Sequence, residues 1–189
     1  MRLRSNTPLE WVQTVQKDMN SFLQDHAACE RKASANGLSL VSHYPNRKEL
    51  VKAMIEFSVE ELDHYRQVYE KMEERGVVIA PDIKDEYVSR LLKQMRSGPE
   101  AYFLDRLLVA GVIEARGCER FGLLSIHLES GPLKDFYREI TRAEAQHHLL
   151  FVKLAKHYFP ADEVEKRLDE LLDFEGEMVQ TLPFRAAVH

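Results

Sequence analysis

The sequence predicts an all-α fold organised around four long helices. Three observations carry the prediction. Apolar residues recur at three- and four-residue intervals along most of the chain. Runs rich in β-branched residues are few. Glycine and proline punctuate the periodic stretches rather than interrupt the period. The 189 residues suffice for one domain with a sizeable core, spanning 1–189. With 44% hydrophobic and 30% charged residues, the composition is that of an ordinary soluble chain.

The elements follow in order. Thr7-Pro8-Leu9-Glu10 reads as a capping box with proline at the first helical position, opening a short helix to about Lys17. The first long helix runs from about Met19 to His43. "YPNRKE" is a turn, with Asn46 as the expected cap and Glu49 at the third helical position. The second long helix spans about Arg47 to Arg75 and stops at Gly76. Asp82 is expected to cap a short helix reaching Met95. Ser97-Gly98-Pro99-Glu100 repeats the capping pattern and starts the third long helix, to about Leu128. "ESGPL" turns the chain into a fourth, from about Leu133 to Tyr158. Pro160 stops it, and Asp162 is expected to cap a last helix ending near Val179. The tail "TLPFRAAVH" has no periodicity.

The turns near 45 and 130 are short, so each joins two antiparallel helices, whereas the connection from Gly76 to Ser97 is long. Two hairpins joined by one long crossover is the ferritin-like arrangement of a four-helix bundle, here with additional short helices. An unrelated helical domain of six or seven helices is the alternative at this point. The chain has no run of eighteen apolar residues, so no membrane span is expected. Its first residues lack the apolar core of a signal peptide. Cys29 and Cys118 form no CxxC pair, which fits a reducing cytoplasm. The formal charge of −5 excludes a basic nucleic-acid coat, although a local basic patch can still bind RNA.

The helical period sorts the charged residues by face. Glu61 shares a stripe with Met54, Phe57, His64 and Val68, whereas Glu60 lies with Glu56, Gln67 and Lys71. Glu144 falls with Tyr137, Ile140, His147, Phe151 and Leu154, and His148 is rotated to the edge. Glu114 lies with Leu107, Ala110, Gly111, Cys118 and Phe121. Glu30 lies among Phe22, Leu23, His26, Ala33 and Gly37. Each long helix thus carries one glutamate in an apolar stripe, where an unpaired carboxylate costs several kcal/mol.

Register agrees. Each of the four glutamates is about 15 residues, or ~22 Å, from the turn of its own hairpin. One glutamate on each of two helices, plus Glu-x-x-His on each of the other two, is the carboxylate pattern that holds two metal ions. The expected ligands are Glu30, Glu61, His64, Glu114, Glu144 and His147. Carboxylate and imidazole donors without thiolates suit iron or manganese. The small residues Ala110, Gly111, Ala115 and Gly117 leave either a substrate cavity or close helix packing.

The segments "EFSVEELDHYRQVYEKMEERGV" (56–77), "VIEARGCERFGLL" (112–124) and "RAEAQHHLLFVKLA" (142–155) resemble the bacterial MiaE family. These are tRNA hydroxylases acting on 2-methylthio-N6-isopentenyladenosine. The resemblance extends to length and element order, and its most particular part is the "IEARGCERF" run. It implies that the six residues above bind two iron ions. It also implies hydroxylation of the isopentenyl side chain at tRNA position 37, with dioxygen as co-substrate. External electrons are then needed, and with no flavin or nicotinamide fingerprint they imply a separate reductase system.

Other residues are candidates around this centre. His26, Arg116, Cys118 and Tyr137 are expected close to the ligands. Arg116 and Arg120 either pair with carboxylates or receive a phosphate, and pairing is the preferred reading. Cys118 reads as a packing residue before it reads as a catalytic thiol. Lys84, Arg90, Lys93 and Arg96 on the crossover are the expected RNA contacts, against a plain solvated face. The rival functions are a di-iron hydroxylase of a small lipid or quinone, and an oligomeric ferroxidase or peroxide scavenger. A metal-free helical interaction protein is the rival outside metal chemistry.

Overall fold

The computed structural model describes residues 1–189. It contains eight helices: α1 (Leu9–Lys17), α2 (Met19–His43), α3 (Lys48–Glu74), α4 (Glu86–Leu92), α5 (Pro99–His127), α6 (Pro132–Glu144), α7 (His147–Tyr158) and α8 (Ala161–Val179). The chain divides into two compact units. One comprises Gln13–Ile83 with Arg185–Val188, and the other Met1–Val12, Lys84–Phe184 and His189.

The first unit is the α2–α3 hairpin. Asp18 starts α2 by accepting the Ser21 N–H, satisfying one of the free donors of the first turn. Arg47, not the expected Asn46, is the residue before α3, and its side chain makes no capping bond. Gly76, at φ +65°, ends the helix while the Val77 N–H reaches back to the Met72 carbonyl. Leu50, Met54, Phe57, Val68 and Met72 form the buried stripe of α3. Gly37 permits close approach of the pair, since a Cβ there would lie 2.2 Å from Ser58 Oγ. Ser34 donates to the Ser58 carbonyl at 2.8 Å beside it. Asp82, expected as a cap, instead accepts from Arg31 at 2.8 Å. The aperiodic tail is tied down too: the Val188 N–H donates to Asp25 at 2.7 Å, and Ala187 and Val188 are buried.

In the second unit α5 packs against α6, α7 and α8. Asp85 caps α4 through the Val88 N–H, three residues beyond the expected position. Thr7 does not close a capping box. Its N–H and hydroxyl both donate to Glu119, at 2.7 and 2.6 Å. Pro160 precedes α8, and Asp162 falls in its first turn, where it complements the helix dipole. Gly111 is explained by packing, because an added Cβ would meet Phe151 Cβ at 3.2 Å.

The expected fourth long helix is two helices. α6 ends at Glu144 and α7 resumes at His147. The break contains Ala145 and Gln146, both good helix formers, and neither glycine nor proline. Local propensity therefore does not account for it.

Candidate metal centre

Each unit gathers three metal-type donors. In the hairpin unit, Glu30 comes from α2, and Glu61 and His64 from one face of α3. One donor atom from each lies within 4.8 Å of the others. All three side chains are buried. His26 Nε2 lies 2.5 Å from Glu30 Oε1 and orients that carboxylate from one turn away. His64 Nδ1 lies 3.7 Å from Glu61 Oε2.

In the second unit, Glu114 from α5 meets Glu144 from α6 and His147 from α7, again within 4.8 Å. Glu144 and His147 are buried and Glu114 is half-buried. His147 Nδ1 lies 2.7 Å from Glu144 Oε2, so the pair spans the break between α6 and α7. His148 stands outside both triads, half-buried. Burial lowers its pKa, with smaller contributions from the chain's N-terminal ammonium and His147.

Two carboxylates with one imidazole, clustered out of water, suit a hard or borderline divalent ion. A cation also supplies the countercharge that buried carboxylates need. The donor chemistry of each triad therefore fits iron or manganese.

The remaining sequence candidates separate clearly. Arg116 is fully buried and bonded. It donates to Glu175 at 2.8 and 3.0 Å, to Glu119 at 3.0 Å, and to Thr7 and the Ser5 carbonyl. It is thus a structural cation that ties α5 to α8 and to the N-terminal segment, with no group left over for phosphate. Arg120 lies over the Trp11 ring at 5.1 Å, and burial beside Arg116 lowers its pKa to about 10. The Cys118 thiol is pushed up to about 11 by burial, then by the charges of Glu144 and Glu114. Its sulfur contacts the Thr141 carbonyl at 3.8 Å. A thiol held neutral in this way is a poor nucleophile at neutral pH. Tyr137 is buried against Phe121 and Phe136.

Of the basic group on the crossover, Lys84 and Lys93 are exposed. Arg90 is held by Glu86 at 2.6 Å and by Thr181. Arg96 chelates Asp105, donating at 3.0 and 2.8 Å.

Two buried carboxylates escaped the sequence reading. Glu175, fully buried, accepts from Arg116 and from Tyr87 at 3.0 Å. Asp105, also fully buried, accepts from Arg96 and Arg167. Both lie on apolar helix stripes, Glu175 with Leu171, Leu172 and Met178, so the period test applied to the four metal-bearing helices would have found them.

Residues 1–189 match the protein family described as tRNA-(MS[2]IO[6]A)-hydroxylase (MiaE). The chain is similar to the tRNA 2-(methylsulfanyl)-N(6)-isopentenyladenosine(37) hydroxylase of Pseudomonas putida, with 34% identity covering 93% of this chain and 85% of that protein. The protein of the same description from Salmonella typhimurium is 25% identical, covering 94% of this chain and 83% of its own length. Among solved structures, protein 43 with aldehyde deformylating oxygenase activity from Synechococcus superposes with a TM-score of 0.93 at 32% identity, covering 98% of this chain and 93% of that one. The fold is accordingly the ferritin-like all-α fold.

Proposed function

The chain belongs to the MiaE family of tRNA hydroxylases, and on that premise we propose that it hydroxylates the isopentenyl side chain of 2-methylthio-N6-isopentenyladenosine at tRNA position 37. In this reading two iron ions are held by Glu30, Glu61 and His64 from one hairpin and Glu114, Glu144 and His147 from the other. The observation that carries it is the pair of donor triads, each drawn from a separate hairpin and each holding two carboxylates and one imidazole. Four carboxylates balance the charge of two divalent ions.

Bound iron would supply the redox chemistry: dioxygen gives one oxygen atom to the side chain, the other leaves as water, and two electrons and two protons are consumed. The electrons come from a separate reductase, and the reaction is placed in the cytoplasm with its tRNA. No helix of the chain is long and apolar enough to cross a membrane.

The protein's own contribution is positional. His26 holds one oxygen of Glu30 and so orients that carboxylate. Burial of five of the six ligands keeps competing water from their carboxylate and imidazole atoms. The Arg116–Glu175–Glu119 network anchors α5, which carries Glu114, and fixes the helix against sliding. Lys84 and Lys93, exposed on the crossover, are the proposed phosphate contacts. Arg90 and Arg96 reach RNA only by exchanging their present carboxylate partners.

The test supplies reduced, iron-loaded protein and dioxygen to tRNA bearing the isopentenyl modification, followed by digestion to nucleosides. Gain of one oxygen atom on that nucleoside is expected. No gain from a centre shown to be loaded and reducible refutes the reading. Because the Synechococcus protein is described as having aldehyde deformylating oxygenase activity, an aldehyde is the second substrate to assay. Turnover of the aldehyde without turnover of tRNA would favour that chemistry instead.

A further inference from the structure

The outward face of α3 has no part in the metal triad. Ile55, Val59, Leu62, Arg66, Tyr69 and Glu73 follow at alternating intervals of four and three residues. This is the a/d spacing of a helix-to-helix seam. It is a second seam, since the core stripe of α3 runs through Met54, Phe57, Glu61 and Val68. Ile55 is 45% exposed, Val59 63% and Leu62 55%. Tyr65, Tyr69 and Ile79 complete a predominantly apolar groove of about 520 Å³ beside them. It continues past Tyr69 along Gly76 to Ile79 into a second hollow of about 480 Å³.

The edge of this seam has one sign of charge. Glu56, Asp63 and Glu70 recur every seven residues along it, all exposed. Arg66, in the seam itself, donates to Asp63 at 3.0 and 2.7 Å and also bonds Glu70. Arg66 offsets only one of these three negative charges, so the edge stays acidic and open to a partner's cation.

Those charges select the occupant. Two copies of α3 paired antiparallel would set Glu56, Asp63 and Glu70 against their own equivalents, which repels. Paired parallel, they would face Ser58, Tyr65 and Met72, which offer no cation. Nucleic acid would bring phosphates to a carboxylate edge.

We propose that this face docks a protein partner through an amphipathic helix whose apolar stripe is flanked by lysine or arginine. A helix laid there sits one helix diameter, ~10 Å, from the opposite face of α3, which bears Glu61 and His64. The proposal goes beyond the hydroxylation reading, and its test needs neither metal nor tRNA.

The intact chain is titrated into two fluorescein-labelled helical peptides of equal length, each with a leucine seam, one flanked by lysine and the other by glutamate. Fluorescence anisotropy reports binding. The lysine peptide is expected to bind at least about tenfold more tightly, with the margin shrinking as salt rises. Val59→Glu with Leu62→Glu should abolish binding, and Glu56→Lys with Glu70→Lys should invert the preference. All four positions are exposed, and circular dichroism of each variant confirms that helix content is retained. Equal affinity for both peptides, or binding that survives the Val59 and Leu62 changes, overturns the proposal. So does a dimer in sedimentation that Leu62→Glu dissolves, which would make a second copy the occupant. Binding of an anticodon stem-loop RNA that Leu62→Glu weakens would overturn it in favour of RNA.

Discussion

Replacing Glu175 by glutamine tests whether the buried charge network holds the second unit together. The native carboxylate is fully buried and accepts two bonds from Arg116, at 2.8 and 3.0 Å, and one from Tyr87 at 3.0 Å. Glutamine keeps one acceptor oxygen but turns an NH₂ group toward a guanidinium that can only donate. Arg116 keeps Glu119, which is 23% exposed and screened by water, and Arg120 lies close by with its charge also buried. Removing one partner of a buried ion pair costs about 3–5 kcal/mol, because the other charge is stranded. At this chain length each kcal/mol lowers the midpoint by about 2–4 °C, giving a drop of roughly 6–20 °C. Urea and thermal unfolding of metal-free protein, followed by circular dichroism at pH 7, give the number. Arg116→Met with Glu175→Met should cost less than the two single changes added together, since neither charge is stranded. A loss below about 1 kcal/mol for Glu175→Gln, or strict additivity in the cycle, would show that the network is not energetically coupled.

Three further outcomes follow from the same geometry. Burial works to raise the Asp105 pKa, but bonds from Arg96 and Arg167 outweigh it and hold the carboxyl below 3.8. A depressed folded pKa stabilises above the unfolded value and loses that stabilisation as pH falls through the folded one. Asp105→Asn should therefore cost about 3 kcal/mol at pH 7, with the deficit against the native protein closing in acid, as measured by urea unfolding across pH 2–7. Gly37→Ala should lower stability by about 1–3 kcal/mol through overpacking, because the new methyl meets Ser58 Oγ and the Met54 carbonyl; Gly37→Ala with Ser58→Ala should recover part of it in thermal melts. Cys118, with its thiol raised to about 11, should resist iodoacetamide at pH 7.5 in mass-spectrometric mapping, and Cys118→Ala should keep its metal content.

Much of the fold, and the clustering of the six expected ligand residues into two triads, was legible because both follow from the helical period. A glutamate in an apolar helical stripe is a signal that the sequence carries openly, and equal distance from a tight turn converts sequence number into height. Glu30, Glu61 and Glu144 are buried as the stripes require, and each triad closes to within 4.8 Å inside its own unit. The caps were read less well. Asn46, Asp82 and Asp162 have cap chemistry, yet Arg47, Asp85 and Pro160 stand at the cap positions. Several residues next to a helix start can each bond a free N–H, and the choice depends on the path of the incoming chain.

The sequence by itself determined the helices, their hairpin pairing and which carboxylates face inward, because these follow from a 3.6-residue period and short turns. Only the tertiary structure decided the partners of Arg116, the diversion of Thr7 to Glu119, and the interruption between Glu144 and His147. Glu175 lies 59 residues from Arg116 and Glu119 lies 112 from Thr7, beyond the reach of any local pattern, and at the interruption local propensity points the other way. Ala145 and Gln146 are good helix formers, so the interruption there is not encoded in local propensity.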